Sequence, residues 1–104
     1  MMDSNNKLGI LVNSDEHFDY VLKLTDAAIS KGKQVQIHLL DKGVSIVFTD
    51  LFDRLNAKAR ISACSEGIRT IAGNAPFNVP DTVEIVSPHQ FPRILKGVDR
   101  TVVF

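Results

Sequence analysis

Arg60-Ile61-Ser62-Ala63-Cys64-Ser65-Glu66-Gly67-Ile68-Arg69-Thr70-Ile71-Ala72-Gly73 carries the single cysteine of a 104-residue chain. Ile61 to Ala63 read as the end of a short buried strand. Ser65 onward reads as a helix, with Ile68, Ile71 and Ala72 on one face at i, i+3, i+4. Cys64 therefore falls at a strand-to-helix turn. In an open α/β sheet such turns, at the carboxyl ends of the strands, line the crevice where ligands bind. A thiol there stands near unpaired backbone N–H groups and the positive end of a helix dipole, both of which favour thiolate.

Outward from this stretch the chain keeps alternating strand and helix. Leu8-Gly9-Ile10-Leu11-Val12 is a short apolar run of the kind covered on both faces in a parallel sheet. Ser14 or Asp15 is placed to cap the helix that follows, in which Phe18, Val21, Leu22, Thr25, Ala28 and Ile29 repeat at helical spacing until Gly32. Residues 34–40 alternate, with Val35, Ile37 and Leu39 on one side and Gln36, His38 and Leu40 on the other. After the Asp41-Lys42-Gly43 turn, Val44 to Phe48 have strand composition, while Val44, Val47, Phe48, Leu51, Phe52 and Leu55 also fit a helical face. Helix is preferred, at least from Thr49 to Asn56, because a right-handed crossover between parallel strands needs one.

Beyond Gly73, Asn74 to Pro80 read as a loop. Val83 to Val86 form a fourth strand, a short helix from Phe91 or Pro92 to Lys96 ends at Gly97, and Thr101 to Phe104 form a fifth strand. The first six or seven polar residues are expected to be mobile. The whole predicts one domain over residues 1–104, a three-layer α/β/α fold with a mostly parallel sheet of about five strands.

Composition narrows the function classes. Hydrophobic residues make up 44% and charged residues 23%, ordinary for a globular domain of this size. Twelve basic and twelve acidic residues cancel. There is no broad cationic field, and direct nucleic-acid contact is not expected. One cysteine makes no internal disulfide, and no Cys/His spacing suggests a metal. The amino end lacks the apolar core of a signal peptide, and no run approaches the roughly 18 residues of a membrane span, so a cytoplasmic protein without membrane contact is expected. After the first strand, Asn13-Ser14-Asp15-Glu16-His17 contains no glycine, which disfavours a dinucleotide site, a P-loop or a flavin phosphate loop. No cofactor is expected.

Beside Cys64, the binding candidates are Ser65, Glu66 and Gly67 at the helix start and Asn13, Ser14 and Asp15 at another strand exit that could border the same crevice. The simpler role for the last three is helix capping. Glu66 would oppose a thiolate, and Arg60 or Arg69 could compensate. His17 reads as solvated, His38 as a hydrogen-bonded core histidine and His89 as part of the loop before the fourth helix. Phe48, Phe52, Phe77, Phe91 and Phe104 read as core or subunit contacts.

The Asp41-Lys42-Gly43-Val44 turn, the Ile61-Ser62-Ala63-Cys64-Ser65 turn and the closing Val98-Asp99-Arg100-Thr101-Val102-Val103-Phe104 together resemble the DsrE/DsrF-like family of small sulfur-relay proteins, over nearly the whole chain. Arg69 and Gly73 stand near the places where family members often have an arginine and then a glycine; Gly67 comes early. The resemblance implies a sulfurtransferase or sulfur-carrier subunit in which Cys64 holds a persulfide. It also implies sulfur donor and acceptor proteins as partners and a homo-oligomer, commonly a trimer or larger. With no second cysteine to resolve a persulfide internally, the acceptor thiol must come from another molecule. The competing expectation is a non-catalytic oligomerisation or interaction module with a buried, inert Cys64, in which Phe104 and the Pro76-Phe77 loop serve interfaces.

Overall fold

The computed structural model describes residues 6–72 and 79–104. The expectations for the first residues and for the loop containing Pro76 and Phe77 fall outside them. The elements alternate as β1 (Lys7–Val12), α1 (Phe18–Ser30), β2 (Gln34–Leu39), a 3-10 helix (Asp41–Phe48), α2 (Leu51–Asn56), β3 (Arg60–Cys64) and α3 (Ser65–Ala72). β4 (Glu84–Val86), a 3-10 turn (Pro88–Gln90), α4 (Phe91–Ile94) and β5 (Arg100–Val103) complete the chain. The five strands form one sheet in the order β4-β3-β2-β1-β5, all parallel.

The register divides the sheet into two unlike faces. Leu8, Ile10 and Val12 align with Val35, Ile37 and Leu39, and Ile37 and Leu39 align with Ile61 and Ala63. This face joins Val21, Leu22 and Ala28 of α1, Val44 and Ile46 of the 3-10 helix, and Phe52 and Leu55 of α2 in a single core. The opposite face aligns Gly9 with Gln36 and Thr101, and His38 with Ser62. It lies under the segment around α4, where Phe91 stacks on His38 at 5.1 Å and Leu95 and Val98 approach Gly9. Successive steps from β1 to β4 run one way along the sheet, and the last connection crosses back to β5. Right-handed crossovers put the helices of the two directions on opposite faces.

Most sequence expectations of element type hold, with four local corrections. Residues 41–48 are a 3-10 helix, so their strand composition reflects core packing by Val44 and Ile46 and not sheet pairing. The α-helix after them is Leu51–Asn56. α1 starts later than Ser14 or Asp15 would cap: His17 occupies the cap position and no side chain bonds the first turn. α4 ends at Ile94, short of Lys96.

Two glycines fit the 3-10 helix into place. A Cβ on Gly43 would lie 1.9 Å from the Val12 carbonyl oxygen, and one on Gly67 would lie 2.8 Å from the Asp41 nitrogen. Both are closer than a side chain tolerates, so the early glycine of α3 serves its approach to the Leu40-Asp41 turn. The same turn is anchored by the Leu40 N–H, which donates to the Val12 carbonyl at 2.8 Å, and Asp41 takes φ 47°.

Candidate functional site

Cys64 is the last residue of β3, and α3 begins at the next residue. Strand alternation sets its side chain on the face of Ser62 and His38, opposite Ala63. In register beside it is Val86, fully buried. The chain leaves β4 there through Ser87 into the Pro88–Gln90 turn, whose residues are not buried, and then α4, of which only Ile94 is. Cys64 is 8% exposed.

The first turn of α3 delivers part of what the sequence promises. Among the described residues no hydrogen bond reaches the Cys64 sulfur, so the N–H groups of the helix start do not hold it in this conformation. Ser65 is half-buried, Glu66 is exposed, and Gly67 is buried against the Asp41 turn. Arg69 donates to both carboxylate oxygens of Glu66, at 2.8 and 3.1 Å. Of the two arginines proposed to offset Glu66, Arg69 therefore does so directly. Arg60 stands at the other end of β3, about 13 Å away by strand rise.

Asn13, Ser14 and Asp15 lie at the end of β1, two strands from Cys64. That separation is about 10 Å. The 3-10 helix spans the interval, with Asp41 against Gly67 on one side and Gly43 against Val12 on the other. The structure thus does not bring the two sets of candidates together. The strand order reverses between β1 and β5, where ligands of open α/β sheets bind. Ser14 lines an open depression there with His17, Tyr20, Val103 and Phe104, and the Asn13 N–H donates to the Phe104 carbonyl at 2.9 Å.

Behind Cys64 on the same face runs a buried polar lane. His38 Nδ1 and Ser62 Oγ are 2.7 Å apart, and Gln36 Nε2 donates to Ser62 Oγ at 3.3 Å. His38 and Ser62 are both inaccessible, at 1% and 0% exposure. Burial lowers the His38 imidazole from 6.5 to about 4, against an opposing pull from the Glu84 carboxylate. Glu84 in turn accepts from Arg93 at 2.7 Å. The sequence singles out His38 as a hydrogen-bonded core histidine, which it is; Ser62 and Gln36 carry their signal only as polar residues in otherwise apolar strands. Neutral and enclosed, His38 supplies no general base to solvent. Among the described residues no group of three or more His, Cys, Asp or Glu side chains is placed to hold a metal, and no helix is long and apolar enough to cross a membrane.

The whole architecture matches the crystal structure of the ychN protein from E. coli, with a TM-score of 0.72 over 96% of this chain and 99% of that one. The two sequences are 13% identical, a level at which the likeness speaks for the fold. No family model matches the chain, and no curated protein does.

Proposed function

We propose that the protein is a cytoplasmic sulfur carrier whose working group is the Cys64 thiol. The observation that supports this most is the place of the sole cysteine, at the carboxyl end of β3 with α3 beginning at the next residue. The sequence resemblance to the DsrE/DsrF-like family points the same way, and the fold is compatible with it. In the reaction, the Cys64 thiolate attacks the outer sulfur of a donor protein persulfide. The donor S–S bond breaks, the donor leaves as thiolate, and Cys64 becomes the persulfide. An acceptor thiolate then attacks the outer sulfur of Cys64, forming a new S–S bond and restoring the Cys64 thiolate. Each step is a sulfur transfer without net oxidation, and it needs no second cysteine in this chain.

For transfer, donor and acceptor must reach the sulfur of a residue that is 8% exposed. The same burial favours a second reading, in which Cys64 is an inert core thiol and the domain acts by assembling with copies of itself.

Alkylation of the native protein followed over pH, and mass spectrometry after exposure to a persulfide donor, separate the two. The carrier gains one sulfur on Cys64 and reacts in the folded state, and Cys64→Ser loses the added sulfur while keeping fold and assembly. A thiol that reacts only after denaturation leaves the assembly reading.

A further inference from the structure

The amino-terminal edge of the sheet, opposite the end that carries Cys64, holds a cleft of about 530 Å³. Lys7, Lys33, Lys58 and Arg60 line it together with Gln34 and Asn56, and among the described residues no acidic side chain does. In a chain whose twelve basic and twelve acidic residues cancel, this is a local segregation of charge. We propose that this cleft binds a small phosphorylated anion, with Lys7 and Arg60 as its principal ligands and Gln34 and Asn56 as amide donors.

Part of the basic character has a structural origin. Lys33 and Lys58 follow the carboxyl ends of α1 and α2, where cations complement the helix dipole. Each also has a carboxylate partner, Lys33 with Asp99 at 3.4 Å and Lys58 with Asp26. The second account does not extend to Lys7 and Arg60. They open β1 and β3, beside the carboxyl ends of α1 and α2 that also line the cleft, and among the described residues neither forms an ion pair with a carboxylate. Two cations of unlike geometry, a point charge and a planar fork, thus line one concavity, and among the described residues neither is in an ion pair.

Size and rim select the class of ligand. The volume lies within the range of small-molecule sites. Asp26 and Asp99, which accept from the flanking lysines, add negative charge at the margin and oppose an extended polyanion crossing it. A compact ligand with two or more negative charges avoids that repulsion while meeting Lys7 and Arg60. The cleft is about 13 Å from Cys64 along β3, so this inference does not depend on the sulfur chemistry proposed above.

The test is a titration of the folded protein with inorganic pyrophosphate, at ionic strength held constant with sodium chloride, followed by amide chemical shifts. Saturable shifts confined to residues 7, 33–34 and 56–60 are expected. Lys7→Gln and Arg60→Gln should each weaken the binding about tenfold, the loss of one charge-assisted contact. Absence of saturable shifts in the wild-type protein, or shifts that the two substitutions leave unchanged, overturns the proposal. So does a short RNA that displaces pyrophosphate from the same amides at lower concentration, which would assign the cleft to nucleic acid. The wild-type shift map decides the matter even where a variant fails to fold.

Discussion

The two faces of the sheet are built from the same strands and obey opposite rules. On one, Leu8, Ile10, Val12, Val35, Ile37, Leu39, Ile61 and Ala63 are all buried and meet α1, α2 and the long 3-10 helix. On the other, Gln36, His38 and Ser62 are just as buried, yet each needs a hydrogen-bonding partner there. The first face is held by area removed from water, which is non-directional. The second is held by a short relay of polar atoms, where one missing partner leaves another group unpaired in a dry place. The directional face is also the one that carries Cys64 and Val103, the latter 58% exposed.

The largest effect separating the faces should come from a cavity in the apolar one. Ile37 is fully buried in the middle of β2, flanked by Ile10 and Ile61. Ile37→Ala should cost about 2–5 kcal/mol, lost transfer free energy plus the residual cavity. That is a large part of the stability of a small domain. The check is the midpoint of urea unfolding at unchanged slope. A loss below about 1 kcal/mol would show that this face can collapse around the gap, and the contrast in packing would fail.

Acid should act on the polar face next. The His38 imidazole ordinarily titrates at 6.5 and is held at about 4 in the folded protein. Above pH 6.5 neither folded nor unfolded chain protonates it, and it makes no contribution to pH dependence. As pH falls from 6.5 towards 4, the unfolded chain binds the proton and the folded one does not, so stability is lost across that window, up to about 3 kcal/mol. Ser62 sharpens the effect. When neutral Nδ1 accepts from the Ser62 hydroxyl, Gln36 can donate to the same oxygen; a protonated ring would have to donate instead. The Ser62 hydroxyl would then turn to the Ile37 carbonyl, 3.4 Å away, a poorer bond. Unfolding free energies of the wild-type protein and His38→Gln, measured from pH 7 to 4.5, should diverge in slope. Parallel curves would show that His38 is freely hydrated.

The two faces differ in how far they could be read before the structure was known. Alternation in residues 34–40 separates Val35, Ile37 and Leu39 from Gln36 and His38, because the side-chain period of a strand is two. The apolar core and the strand-helix alternation follow from such runs, as does the position of Cys64 beside the start of α3. The pairing of His38 with Ser62, by contrast, depends on the register of β2 against β3, which no local pattern contains. The same holds for the separation of Asn13, Ser14 and Asp15 from Cys64. It follows from strand order and from a 3-10 helix whose β-branched core residues imitate a strand. The basic cleft is harder still. Lys7, Lys33, Lys58 and Arg60 are scattered in the sequence, and only parallel alignment gathers the starts of β1, β2 and β3 at one edge.

The smallest effect gives the finest comparison, because Ser62 and Ala63 are neighbours on β3 that face opposite ways and differ by one oxygen. Ser62→Ala removes the partner of His38 Nδ1 and the nearer of the two acceptors of Gln36 Nε2, which keeps only the Ile37 carbonyl at 3.5 Å, and should cost about 1–3 kcal/mol as the imidazole nitrogen is left dry and unpaired. Ala63→Ser places a hydroxyl among apolar side chains at a fully buried position, with a similar cost for the opposite reason. Exchanging the two residues should therefore be no rescue. Its loss should approach the sum of the single losses, since composition is conserved but each face receives what it cannot use. Urea midpoints of the two single variants and the exchange close the cycle. If Ser62→Ala alone is neutral, the polar lane is tolerated filler and the directional account of this face falls. If it is costly and the exchange recovers stability, the hydroxyl has found a partner on the apolar side, and that face is less exclusive than its residues make it.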